Sequence, residues 1–228
     1  MPRLTLYSGP LSMFGAKVEI AALEKGLPVD VVMVPFTADH RYEPRHPEVL
    51  RVNPKRQVPV LLHGAVEIFD STQIFEDFEH LEPAPPLWPD APAARARARL
   101  RELWSDEVFF PPVIRLMSLQ DRLTEPPAVQ AIDEVGRRYV ELETLLERQP
   151  FLAGDYSYAD IAFFMAQLFA ARMSAPMTAS TPRVLAWRDA MMARPAVNAI
   201  LRRFHATLTE LGLRIPDFVS RAGVANRG

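Results

Sequence analysis

Two short runs in this chain combine residue types that can recognise a small charged peptide. The first is Asn53-Pro54-Lys55-Arg56-Gln57-Val58-Pro59-Val60-Leu61-Leu62, where a proline interrupts an apolar, β-branched stretch. Proline cannot donate a ladder hydrogen bond, which argues against an ordinary central strand. The alternative is a strand end that bends at an X-Pro bond, where the cis form costs little. Such a bend leaves the backbone of Val58 outside the sheet, free to pair with an extended peptide. The second run is Asp70-Ser71-Thr72, beginning eleven residues after Pro59 and just before the helical spacing of Ile74, Phe75 and Phe78. Ser71 reads as the N-cap of that helix, and a helix N-terminus carrying a hydroxyl is a ready site for a carboxylate.

The elements that must position these runs have two different periods. Leu4-Thr5-Leu6-Tyr7 alternates, and Val29 to Val34 is β-branched and nearly continuous, as a buried strand would be. Between them Phe14, Val18, Ala21 and Ala22 recur at helical spacing, closed by Gly26 and Pro28. Val58 to Leu62 and Ala65 to Phe69 read as a hairpin around His63-Gly64, and Ser71 to Leu81 as a helix. A parallel, right-handed β-α-β unit followed by β-β-α is the thioredoxin-like layout.

Pro83 to Pro92 holds five prolines in ten residues and reads as a linker. Everything after it reads helical: Ile132, Val135, Tyr139, Leu142 and Leu146 step by three and four, as do Val197, Ile200, Phe204, Leu208 and Leu211. Ser157-x-x-Asp160 is a capping box with Asp in the Glu position. The helix it starts is apolar nearly all round and belongs at the centre of its domain. Pro111-Pro112 should kink or end the first long helix. The expected division is therefore an α/β domain over 1–82, a linker over 83–92 and an all-α domain over 93–228.

Composition narrows the function classes. The chain has 228 residues, 49% hydrophobic and 24% charged, with a net charge of −2, so no global field attracts nucleic acid or anionic lipid. The arginine run Arg95, Arg97, Arg99 and Arg101 is spread around a helix and offset by Glu102, Asp106 and Glu107. There are no cysteines, which removes disulfides, thiolate metal sites and a protein-borne redox thiol. His40, His46, His63, His80 and His205 show no paired ligand spacing, so no metal is expected. The start of the chain runs straight into a strand pattern, and no apolar stretch is long enough to span a bilayer. A cytoplasmic protein without membrane contact is the expectation.

The ordered set Leu6-Tyr7-Ser8, Ser12-Met13-Phe14, Lys17-Val18, Gln57-Val58-Pro59 and Asp70-Ser71 resembles the amino-terminal half of a cytosolic glutathione transferase. The resemblance continues through Trp88-Pro89, Gly154 to Asp160, Trp187-Arg188 and Arg194-Pro195, covering the chain to about Leu211. It implies a thioredoxin-like domain followed by an all-α domain, with glutathione as co-substrate. Each fragment is weak, but their order and spacing together are specific.

Glutathione brings its own thiol, so the protein must hold the peptide and favour the thiolate. A free thiol has a pKa of about 8.5, and one hydrogen bond to a charged acceptor, about 1.5–3 kcal/mol, moves it by roughly one to two units. Ser12 falls where the serine- and cysteine-type members, of the zeta, omega and theta kind, carry their activating group; Tyr7 is the runner-up, and Ser8 lies between them. The resemblance also implies that Val58 backbone pairs with the cysteinyl part, while Asp70 and Ser71 hold the γ-glutamyl ammonium and carboxylate. Gln57 stands where lysine is common and Arg56 where glycine is usual, so the glycine carboxylate falls to Lys55, Arg56 or His40. Gln57 and Pro59 complete the expected glutathione contacts. A small hydrophobic electrophile should be lined by Phe14, Phe109, Phe110, Arg115, Met117 and Met173, nearly all of which also suit a core. The resemblance also implies a C2 homodimer, the amino-terminal domain of one chain against the first long helices of the other, where Leu100, Leu103 and Trp104 suit such a face. The competing expectation is a non-catalytic binding or scaffold protein of the same fold.

Overall fold

A computed structural model describes residues 3–43 and 45–224. Two compact units are present: residues up to Pro85 together with those from Pro195 onward, and Pro86–Arg194.

The first unit is built on a four-stranded sheet of β1 (Leu4–Ser8), β2 (Val29–Met33), β3 (Val60–His63) and β4 (Val66–Phe69), in the order β2-β1-β3-β4. β1 pairs parallel with β2, in register Leu4 with Val29, and antiparallel with β3, Tyr7 facing Val60. β3 and β4 form the hairpin, Val60 facing Phe69. The parallel connection is α1 (Met13–Lys25), whose end is closed by Gly26 at φ 65°, a left-handed conformation that glycine takes without a Cβ penalty. α2 (Pro47–Val52) and α3 (Ser71–Leu81) complete the α/β part.

Alternation along β1 sends Leu4 and Leu6 to one face, against Val18, Ala22, Ile74 and Phe78 of α1 and α3. Tyr7 goes to the other, against Val34, Val49 and Val60. β2 departs from expectation. Its run of Val29 to Met33 lies at the sheet edge rather than buried, leaving Val31 41% and Met33 36% exposed. Strand order, which depends on how α1 crosses over, decided this; a β-branched run is equally compatible with an edge.

α9 (Pro195–Glu210) and α10 (Asp217–Val224) also belong to this unit, and α9 packs against α1. The compact units therefore do not follow the linear division at the proline-rich stretch. The reason is spatial: α9 buries Val197, Ile200, Leu201, Phe204 and Leu208 and sends Arg203 to Glu19 of α1.

The second unit contains α4 (Pro92–Trp104), α5 (Phe110–Met117), α6 (Pro126–Leu145), α7 (Tyr158–Arg172) and α8 (Pro182–Met192). Between α4 and α5 the chain widens into one π-helical stretch, Ser105–Phe109, directly before Pro111-Pro112. The prolines thus change the helix gauge without stopping the chain, since a wider turn accommodates carbonyls that proline rings would otherwise strike. α7 is central: every residue but Phe169 is buried. Asp160 locks its start, accepting from the backbone N–H of Ser157 (3.0 Å) and Leu152 (2.9 Å), Ser157 Oγ (3.2 Å) and Trp187 Nε1 (3.0 Å). Burial pushes the Asp160 carboxyl up to about 6, against those four hydrogen bonds, which favour its ionised form.

Candidate glutathione site

Sheet register brings the chemistry-bearing residues together. β1 ends at Ser8, β3 starts at Val60 and β4 ends at Phe69, all at the same end of the sheet. The segments just beyond, Gly9 to Ser12, Val58-Pro59 and Asp70-Ser71, therefore emerge side by side. Residues 61 apart in the chain become neighbours because one antiparallel register was chosen.

Ser12 is the N-cap of α1. Its Oγ accepts from Gly15 N–H at 3.0 Å, which leaves the hydroxyl proton available as a donor. The Val58–Pro59 peptide is cis. Val58 precedes the first paired residue of β3, so its backbone groups stand outside the ladder. Asn53 Nδ2 donates to the carbonyl of Gln57 at 2.6 Å and steadies the bend from below.

The second helix start differs from expectation. Asp70, not Ser71, is the N-cap of α3: its Oδ1 accepts from Thr72 N–H at 3.0 Å and Gln73 N–H at 3.4 Å. Ser71 is the first helical residue and is buried. Asp and Ser are equally good caps, so local sequence could not choose between them. The backbone chose, because Asp70 sits at φ 76° and turns the chain into the helix. A non-glycine residue there is uncommon and is found where geometry matters. With Oδ1 committed to the cap, Oδ2 is the oxygen that can face an ammonium.

A cleft of about 390 Å³ opens beside these segments. Of the expected contacts, Ser12, Phe14, His40, Arg56, Gln57 and Val58 line it. Pro59 is buried behind the bend. Its wall also carries Arg41, Arg45 and His46 against the single acid Glu43. Arg45 is tied to Glu43 (2.7 Å) and to the carbonyl of Arg56 (2.7 Å). Among the described residues the guanidinium groups of Arg41 and Arg56 have no ion-pair partner, so the cleft offers two free cations to an anion.

Tyr7 does not line this cleft. Its ring lies 4.9 Å from that of His46, on the face covered by α2. Tyr7 packs behind the cleft wall instead, in the same apolar cluster as Val34 and Val49, which do line it.

Several lining residues were missed from sequence. Val34, Arg41, Tyr42, Glu43, Arg45, His46 and Val49 come from the loop after β2 and from α2. That loop has no periodicity to read. The helix had a readable signal in His46-Pro47-Glu48, a proline at the first helical position, with His46 Nδ1 accepting from Glu48 N–H at 3.2 Å. Gly9 carries a further signal, since a Cβ there would lie 2.6 Å from the Tyr42 ring.

Of the five expected electrophile liners in the second unit, the two phenylalanines are core. Phe109 is fully buried, 4.9 Å from the Phe163 ring and 5.4 Å from Tyr139, and Phe110 stacks edge-on to Phe169 at 5.5 Å. Arg115 is exposed and paired with Glu134. Met117 and Met173 are half-buried, with the Met173 carbonyl accepting from Gln120. Phenylalanine in an apolar helix carries no mark that separates pocket from core. Among the described residues no group of three or more His, Cys, Asp or Glu is arranged to hold a metal, and no helix is long and apolar enough to cross a membrane.

Comparison with known proteins agrees with the fold. The glutathione S-transferase N-terminal domain family matches residues 6–86, and the glutathione S-transferase C-terminal domain family matches residues 108–195. FtsZ-localized protein A of Caulobacter vibrioides is 31% identical over 173 residues, covering 69% of this chain and 73% of that protein. Glutathione S-transferase 3 of Zea mays is 29% identical over 211 residues, covering 86% and 92%. The crystal structure of a glutathione S-transferase from Rhodospirillum rubrum superposes with a TM-score of 0.79 at 25% identity, covering 96% of this chain and 99% of that one. With both domain families matched in order and the sheet end assembled as described, the chain belongs to the cytosolic glutathione S-transferase family.

Proposed function

We propose that this protein binds glutathione at the sheet end, favours its thiolate through the Ser12 hydroxyl, and directs it at an electrophilic small molecule. The observation that carries this reading is that Ser12 and the unpaired Val58 edge line one cationic cleft, while the Asp70-Ser71 helix start, outside its lining, follows β4 at the same end of the sheet. In this reading Val58 pairs with the cysteinyl backbone, Asp70 Oδ2 meets the γ-glutamyl ammonium and the α3 N-terminus takes the adjacent carboxylate. Arg41 and Arg56, with His40, hold the glycine carboxylate. Gln57 shapes the bend, and Phe14 offers an apolar wall for the electrophile.

The reaction follows from the thiolate. Ser12 donates to the sulfur while accepting from Gly15 N–H, and the α1 N-terminus adds positive potential. Conjugation, peroxide reduction, dehalogenation and ether cleavage all start there. Direct calorimetric binding of glutathione, followed by turnover of a halogenated nitrobenzene, tests the proposal. Absence of glutathione binding at millimolar concentration would overturn it.

A second reading is a non-catalytic binding protein of the same fold, favoured by the 31% identity to a relative named for localisation with FtsZ. Glutathione binding with no turnover of any electrophile class would select it.

A further inference from the structure

We propose that Ser8, Glu19 and Arg203 form a buried clamp that positions the first turn of α1 and so sets how position 12 treats a thiolate. Ser8, the last residue of β1, is wholly buried, and its hydroxyl donates to Glu19 Oε1 at 2.5 Å. Glu19 is 4% exposed on the second turn of α1. Arg203 of α9 reaches it with both terminal nitrogens, Nη2 to Oε1 at 3.0 Å and Nη1 to Oε2. A buried ion pair is a poor source of stability, because removing two charges from water offsets most of their attraction. Fixing register is the better-attested use of such a group.

What this clamp registers is Gly15. A Cβ on Gly15 would lie 2.2 Å from Ser8 Oγ and 3.4 Å from Ser12 Cβ, so the glycine backbone rests directly on the Ser8 hydroxyl. Gly15 N–H is also the donor to Ser12 Oγ. Gly15 and Glu19 stand four residues apart, on one face of α1. Ser8 is held from its other side as well, its carbonyl accepting from Val34 N–H at 2.8 Å. Sliding α1 along β1 would therefore break the Ser8–Glu19 bond and tilt the Gly15 N–H away from Ser12 together. The three are positioning residues, acting on the reacting sulfur only through Ser12.

The inference rests on Ser12 being the group beside the thiol, so its test needs no glutathione. The chain has no cysteine, and Ser12→Cys would place a single reporter thiol at the site. Its pKa is read from the pH dependence of iodoacetamide alkylation in the ligand-free protein. Other charged groups in this region are Lys17, whose ammonium lies 5.4 Å from the Phe14 ring centre, and His40, Arg41, Glu43, Arg45, His46 and Arg56 of the cleft. All of them stay constant across the series. Ser8→Ala, added to Ser12→Cys, changes no charge and should raise the thiol pKa by about half a unit to one unit as the Gly15 hydrogen bond loosens. The pair Glu19→Gln with Arg203→Met, also neutral in sum, should raise it similarly, while Arg203→Lys keeps the cation and should stay near the starting value.

Near-ultraviolet circular dichroism checks each fold, and if Ser8→Ala does not fold the neutral pair decides by the same criterion. A thiol pKa unmoved in these folded variants overturns the clamp. Failure of the unmodified protein to bind glutathione would instead overturn the proposed function, leaving the clamp standing on the thiol titration.

Discussion

The Ser12 hydroxyl has two partners of opposite polarity. Its oxygen accepts from Gly15 N–H, and in the proposed reaction its O–H donates a hydrogen bond to the thiolate sulfur. Ser12→Ala should therefore lower turnover by roughly ten- to a hundredfold at neutral pH, the equivalent of about 1.5–3 kcal/mol, with glutathione affinity nearly unchanged. The defect should shrink as pH approaches the unassisted thiol pKa of about 8.5. If Tyr7→Phe abolishes activity and Ser12→Ala does not, the assignment is wrong. Asp70 presents the same duality in a carboxylate, one oxygen capping α3 and the other open. Asp70→Ala should weaken glutathione binding about tenfold or more, through a lost charge-assisted hydrogen bond, and lower helix stability by about 0.5–2 kcal/mol. Asp70→Ser, which can still cap, should restore the melting temperature but not the affinity; calorimetry with thermal unfolding separates the two.

Helix starts carry much of the logic at the next scale. α1 and α3 begin at the candidate site, while α7 begins inside the second unit at Tyr158, its first turn closed by Asp160. Asp160→Ala strands Leu152 N–H, Ser157 N–H and Trp187 Nε1 in a buried setting, and should destabilise the protein by about 3–5 kcal/mol in denaturant titration. The pH response has a definite sign. The Asp160 carboxyl rises from 3.8 to about 6 on folding, so the native state holds its proton where the unfolded chain has lost it. Its contribution favours the fold below pH 3.8 and is lost as pH rises through about 6. The stability difference between wild type and Asp160→Asn should change across that window and be flat above it. A difference independent of pH would contradict the shift. Glu143 of α6 shows a cap supplied from another helix. Burial would raise its carboxyl, but the backbone N–H groups of Val184 and Arg183 (both 3.0 Å) and the Arg183 side chain hold it below the usual range.

For the whole molecule the proposal is a homodimer. Leu100 is 64% and Leu103 52% exposed on α4, with Trp104 half-buried beside them, an apolar group that a soluble monomer would leave wet. Light scattering at micromolar concentration should give twice the chain mass, and Leu100→Glu with Leu103→Glu should halve it without loss of helical content. A monomeric wild type would reject this.

Much of this protein was legible one residue at a time. The β-α-β unit followed by β-β-α, the capping box at Asp160, the central place of α7 and the bend at Val58-Pro59 all follow from local rules, because period, cap chemistry and proline act within a few residues. What local rules could not decide was partnership. Whether Asp70 or Ser71 capped α3 depended on the backbone angle at the end of β4; whether Val29 to Met33 was buried depended on strand order. Phe109 could be read as pocket or core until Phe163 and Tyr139 closed around it. Arg41 and Arg45, which join Arg56 in the cationic wall, and the clamp between Glu19 and Arg203, 184 residues apart, had no sequence signal at all. Period and caps are properties of adjacent residues, whereas a site and its supports are set by register and packing, which only the folded chain possesses.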